Sequence, residues 1–235
     1  MSEPALRVVT YNVHGCLGRD GLRDPERIAR VIDHRHPQVV GLQEVGGKRR
    51  PAGAPSQLDA IAATVGLERW AGPTLGDQRG DFGNAALTRL EVVDVARCAL
   101  PGREPRGALE IVVRLGPHRL AVTVTHLGVW RFERVQQARL LLRWLHDERP
   151  ALPRVLLADL NEWEPLGPVT RMLRRTFRQL TPPLRSFPAW MPLFALDRVL
   201  VQPPARILTV GTLSDPLARV ASDHLPVVAT VAVDG

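Results

Sequence analysis

Apolar runs in this 235-residue chain repeatedly start or stop on side chains that could do chemistry. VVTYN closes on Asn12, VVGLQE on Glu44, AVTVTH on His126, and VLLADLN on Asp159 and Asn161. LDRVLV opens on Asp197, and Asp223 and His224 stand directly before LPVVATV. Burying such groups without partners costs several kcal/mol, so they reach solvent or one another. Strands of one sheet deliver their ends to a common edge where clefts form. The set holds carboxylates, two amides and two imidazoles, with neither a Ser or Cys nucleophile motif nor a Cys-rich metal motif. Carboxylate and amide oxygens suit Mg²⁺, with Mn²⁺ as a substitute, and a phosphate completes such a site. The chemistry implied is metal-assisted hydrolysis of a phosphoester by water.

Each residue taken alone has a plainer use. Asn12 would serve as a turn cap, Glu44 as a solvated carboxylate at a loop edge, His126 as a core imidazole, and Asp197 as a partner of Arg198. Asp159 and Asn161, two apart on a strand, would face the same side; they could equally form a turn, as could Asp223 and His224. The case rests on the set.

The elements that must position these groups are legible as short runs rich in Val, Leu and Ala: LRVVTYN, QVVGLQEV, GNAALTR, LEIVVRL, LAVTVTHL, RVLLADLN, LDRVLV, RILTV and HLPVVATV. Some alternate and some are continuous, as expected for strands covered on both faces. Helices lie between them. Asp24 and Pro25 form an N-cap and first turn before Ile28, Val31 and Ile32, and Ser56 opens a helix carrying Leu58, Ile61, Ala62 and Val65. FERVQQARLLLRWLHDE is the longest helix and VTRMLRRTF a fourth. Stretches 46–55, 71–82, 101–107 and 182–194 read as loops. More strands than helices suggests stacked sheets with helices outside.

Composition predicts one globular domain over 1–235, a monomer. The start, MSEPALRVV, lacks the positive charge of a secretory leader and no apolar run could cross a bilayer, so a cytoplasmic location is expected. Cys16 and Cys98 are expected to be free thiols. The net charge of +7 comes from scattered arginines, Lys48 being the single lysine, and is compatible with a phosphate-bearing substrate.

The order of the motifs resembles the endonuclease/exonuclease/phosphatase superfamily, metal-dependent phosphoesterases with the DNase I-like fold. The matches are TYN at 10–12, LQE at 42–44, GNAALTR at 83–89, THL at 125–127, ADLN at 158–161, LDRVLV at 196–201 and SDHLPV at 222–227. The resemblance implies an α+β fold, a four-layer α/β/β/α sandwich of two mainly antiparallel sheets with outer helices. It implies that Glu44 is the principal Mg²⁺ ligand, with Asn12 and Asp223 assisting. Asp159 would activate water and Asn161 orient water or phosphate. His224, bonded to Asp197, would lie against a phosphate oxygen; His126 would take a second phosphate or leaving-group position, and Asn84 would touch phosphate.

Departures bear on substrate. Leu42 replaces the Lys, and Leu196 the Arg, usual in abasic-site endonucleases, while Ala158 replaces the usual Gly before the catalytic Asp. These favour a phosphodiesterase or phosphatase acting on a small or lipid-linked phosphate. The alternative is a nuclease that binds nucleic acid through Arg-rich segments at 48–50 and 171–178; a non-catalytic binding module ranks third. Phe187, Trp190, Met191 and Phe194 either border the cleft, in contact with lipid or a base, or cover the core beneath a loop.

Overall fold

The computed structural model describes residues 5–46, 55–77, 80–104 and 106–233. The chain runs β1 (Ala5–Asn12), α1 (Pro25–Asp33), β2 (Val39–Gly46), α2 (Gln57–Val65), β3 (Glu68–Asp77), β4 (Gly80–Thr88), β5 (Val92–Leu100), β6 (Arg106–Leu115) and β7 (His118–His126). It continues with α3 (Arg131–Asp147), β8 (Arg154–Asp159), α4 (Pro168–Thr176), β9 (Gln179–Leu180), β10 (Asp197–Gln202), β11 (Ala205–Thr212), α5 (Ala218–Ala221) and β12 (Val227–Val233). One six-stranded sheet has the order β11-β12-β1-β2-β4-β3 and the other β5-β6-β7-β8-β10-β9. Each contains one parallel pair, β1 with β2 and β7 with β8, joined through α1 and α3; the other pairings are antiparallel.

Strand alternation sorts the apolar residues into layers. Leu6 and Val8 of β1, Val122 and Val124 of β7, Val155 and Leu157 of β8 and Val199 of β10 fill the space between the sheets. The intervening residues face the helices. Val9 and Tyr11 pack with Ile28 and Ile61 beneath α1 and α2, and Leu156 and Ala158 with Leu141 and Leu173 beneath α3 and α4. The result is the expected α/β/β/α sandwich.

The caps read from the sequence are in place. Asp24 accepts from the Arg27 backbone N–H at 2.8 Å, and Ser56 and Asp59 form a reciprocal capping box at the start of α2. Both cysteines are free, and burial pushes the Cys16 thiol up to about 12. The expectation of a loop over 71–82 is corrected for its described residues: 71–77 belong to β3 and 80–82 to β4, an antiparallel pair whose Gly, Pro and charged residues suit an edge ribbon rather than a covered strand. Asp159 and Asn161 are likewise not two positions of one strand, because β8 ends at Asp159.

Gly41 shows how closely the sheets approach. A Cβ there would lie 2.9 Å from Leu157 Cβ and 3.0 Å from Val124 Cγ2, well inside normal contact. Gly41→Ala is expected to lower stability by about 1–3 kcal/mol, the range for overpacking a core, read as a shift of the urea midpoint at constant slope; an unchanged midpoint would contradict the close packing.

Candidate active site

The alternation that builds the inner core also delivers the polar residues. Asn12, His126, Asp159 and Asp197 occupy the inward-facing parity of β1, β7, β8 and β10, at the strand ends where the apolar residues stop. His126 and Asp197 flank Asp159 in register on its two neighbouring strands. Asn12 completes the set from the opposite sheet, donating from Nδ2 to Asp159 Oδ2 at 2.9 Å and to Glu44 Oε1 at 3.1 Å.

Glu44 has the wrong parity for this, since Val40 and Leu42 of β2 face the helices. A register shift between Leu42 and Val45 corrects it: Glu44 adopts φ 57°, turns to the cleft, and Val45 returns to the helix side. Asn161 also has left-handed backbone, φ 48°, with its N–H bonded to Asp159 Oδ1 at 2.9 Å. This turn brings its side chain to His126, with Nδ2 3.0 Å from Nε2 and donating to the Leu127 carbonyl at 2.9 Å. The turn alternative is therefore the one realised, and it still points both groups at the same place.

His224 is held from both sides. Its Nδ1 lies 2.8 Å from Asp197 Oδ2 and its Nε2 3.8 Å from Asp159 Oδ2, while Phe187 packs on the ring with centroids 4.8 Å apart. Ser222 fixes the approach, donating to the Asn12 carbonyl at 2.8 Å and accepting from the His224 N–H at 3.3 Å. Asp223, beside it, has a side chain that is 42% exposed.

Electrostatics separates the two histidines. Burial works against a charge on His224, but Asp197 and Asp159 outweigh it and lift the ring to about 10, so it is an imidazolium at neutral pH. Burial dominates at His126 and lowers its pKa. Burial opposes ionisation of Glu44, yet the bond from His14, the charge of His126 and the Asn12 amide bring it down to about 2. Asp159 is held below its ordinary value against its burial, chiefly by the two histidines and the Asn12 bond.

Sequence reasoning missed three contributors. His14 Nδ1 lies 3.6 Å from Glu44 Oε2 and 3.8 Å from Asp223 Oδ2, placed there by φ 48° in a short 3₁₀ turn. Its position two residues after Asn12 and before Gly15 was the available signal. Arg106 lines a small pocket with Glu44, Asn84 and His126, its Nε buried without a hydrogen-bond partner. Ser186 accepts from the Asp197 N–H at 3.3 Å. Asn84 does reach the pocket wall, although its Nδ2 is spent on the Gly107 carbonyl at 2.7 Å.

The donors suit a hard divalent cation. Glu44 is ionised and partly open, Asn12 touches it, and His14 bridges it to the exposed Asp223. Asp159, Asp197 and His224 also bring ligand-type atoms within 4.8 Å of one another. Both nitrogens of that imidazole face carboxylates and the ring keeps its proton, which makes it a donor rather than a ligand.

The chain belongs to the endonuclease/exonuclease/phosphatase family, whose model matches residues 9–224. Members of this family are generally phosphoester hydrolases that use a divalent metal. The uncharacterized protein YbhP of Escherichia coli K12 is 29% identical over 163 residues, covering 65% of this chain and 63% of that protein, so the chain spans less than two thirds of that relative. The crystal structure of an endonuclease/exonuclease/phosphatase from Beutenbergia cavernae is 26% identical, with a TM-score of 0.75 over 98% of this chain and 72% of that one. A functionally unknown conserved protein from Enterococcus faecalis V583, 21% identical, superposes with a TM-score of 0.84 over 97% of this chain and 100% of its own, which shows the shared DNase I-like fold.

Proposed function

We propose that this chain hydrolyses a phosphoester of a small or lipid-linked phosphate with Mg²⁺, which Mn²⁺ can replace, by in-line attack of water. The observation that carries the reading is the gathering of Asn12, Glu44, His126, Asp159, Asn161, Asp197 and His224 at one end of both sheets. Glu44, with Asn12 and Asp223, would hold the metal, which supplies Lewis-acid stabilisation of charge on the phosphoryl oxygens. Asp159, kept ionised, takes a proton from water as the water oxygen bonds to phosphorus, and the leaving oxygen departs with the electron pair of the broken P–O bond. The His224 imidazolium offers its Nε2 proton to a phosphoryl oxygen, a fixed donor whose value grows as charge builds there. Asp197 holds that ring by Nδ1 and maintains its proton. Asn161 orients water or phosphate and His126 faces a second phosphoryl or leaving-group position.

The nuclease reading finds less support. The basic residues at 48–50 lie outside the described residues. Those at 171–178 begin on α4 and run on to line, through Arg174 and Arg178, a cleft of about 710 Å³ beside β9. That cleft sits toward the far end of β10, where Leu180 pairs with Leu200 and Gln179 with Val201, away from Asp197.

Hydrolysis of bis(p-nitrophenyl) phosphate or another panel phosphoester should vanish in excess EDTA and return with Mg²⁺ or Mn²⁺. Full turnover in EDTA overturns the metal-dependent reading. Abasic and intact DNA, inositol phosphates and phospholipids form the panel that ranks substrates.

A further inference from the structure

We propose that the edge around this site docks on an anionic phospholipid surface, whose head-group phosphoester is the substrate; the inference rests on the phosphoesterase reading above. Most large hydrophobic side chains exposed among the described residues sit on the three segments that frame the site. After His126 come Val129, Trp130 and Phe132, exposed by 52%, 65% and 84%. After Asn161 come Trp163 and Leu166, and before Asp197 come Trp190, Met191 and Leu193, each between 40% and 57% exposed.

Contacts tie these segments to the catalytic groups and to one another. Trp163 packs edge-on against Phe187 and Phe194, and Phe187 in turn covers His224. The Ala189 N–H, next to Trp190, donates to the Asp223 carbonyl at 2.7 Å. Arg134 joins the first two segments, donating to the Val129 carbonyl at 2.6 Å and to Glu162 at 3.2 Å. Of the two readings of the segment at 187–194, the one that borders the cleft is realised: Phe187 packs on His224, while Trp190 and Met191 are exposed.

Three features select a lipid surface. Cations stand among the apolar groups: the Arg19 guanidinium lies 5.4 Å from the Trp190 ring and that of Arg103 5.8 Å from Trp130, with Arg131 and Arg185 exposed nearby. Glu133 is occupied by the Arg103 backbone N–H at 2.9 Å, leaving Glu164 as the exposed carboxylate of the second segment. Tryptophan beside arginine matches a membrane interface, where the indole sits at head-group level and the cation meets acidic lipid. Secondly, single-stranded nucleic acid would use the aromatic rings and cations, but Val129, Leu166, Met191 and Leu193 offer nothing to stack on; they need hydrocarbon. Thirdly, the segments that carry this surface adjoin His126, Asn161 and Asp197, so any partner bound there other than the substrate's own carrier would cover the site.

Flotation in EDTA with vesicles of phosphatidylglycerol in phosphatidylcholine reads docking without turnover. The wild-type chain should float with them, weakly with pure phosphatidylcholine, and the double variant W130S/F132S and the double variant W190S/M191S should each bind about tenfold less with melting temperatures unchanged. Absence of flotation, or flotation that both double variants retain in full, overturns the proposal whatever the activity. Binding to an oligonucleotide that W130S/F132S abolishes, with vesicles unbound, overturns it in favour of nucleic acid. Flotation by a wild-type protein that hydrolyses no phosphoester in Mg²⁺ upholds docking and removes the reading of the site.

Discussion

Replacing His224 by alanine should lower kcat for phosphoester hydrolysis at neutral pH by about 10³-fold, the scale for loss of a fixed charged donor or acid–base group. The ring is 5% exposed and its nitrogens lie 2.8 Å and 3.8 Å from Asp197 and Asp159, so no solvent group can take its place without leaving those carboxylates facing each other. KM should move less than kcat, because the donor is worth most when charge peaks on the phosphoryl oxygens. The alanine variant also strands Asp197, whose Oδ1 is already buried without a partner, so circular dichroism and a second variant, His224→Gln, establish that the loss is not one of folding. Activity within threefold of wild type in a folded variant would remove His224 from the chemistry.

The largest effect on stability is expected from Glu110, a fully buried carboxylate on β6 that has no part in the site. It accepts from Thr123 Oγ1 at 2.7 Å and from the Nε atoms of Arg149 and Arg154, both at 2.8 Å. Arg154 is itself buried, and its remaining bonds go to Gln202 at 3.1 Å and the Pro150 carbonyl at 3.1 Å. Glu110→Ala leaves the Arg154 charge inside without its counter-ion, for which about 3–5 kcal/mol is lost. Denaturant unfolding would show it as a large drop in midpoint, and the triple replacement Glu110→Met, Arg149→Met, Arg154→Met should recover much of it. A loss below about 1 kcal/mol for Glu110→Ala would mean that water or Asp94, which pairs with Arg149, compensates.

The layers and most of the site were legible because both follow from strand parity. Successive strand residues face opposite sides, so the final His126 of LAVTVTH and Asp159 of RVLLAD had to share a face with the core residues two and four positions earlier. Departures from parity were not legible. Nothing in VVGLQEV marks the register shift that turns Glu44 inward, and the left-handed backbone of His14 is set by contacts remote in sequence. β3 and the first residues of β4 were hidden by glycines and a proline, which punctuate turns as often as edges, while GNAALTR was already legible as the rest of β4. Arg106 was one arginine among many until its unpaired Nε placed it beside Asn84 and His126.

Left-handed backbone at non-glycine positions is uncommon, and among the described residues His14, Glu44 and Asn161 adopt it within the cleft. The scaffold would relax more comfortably around glycine at these positions. Such replacements should therefore tend to yield a sturdier but idle protein, and a search for thermostable variants would drift toward them unless activity is selected at the same time.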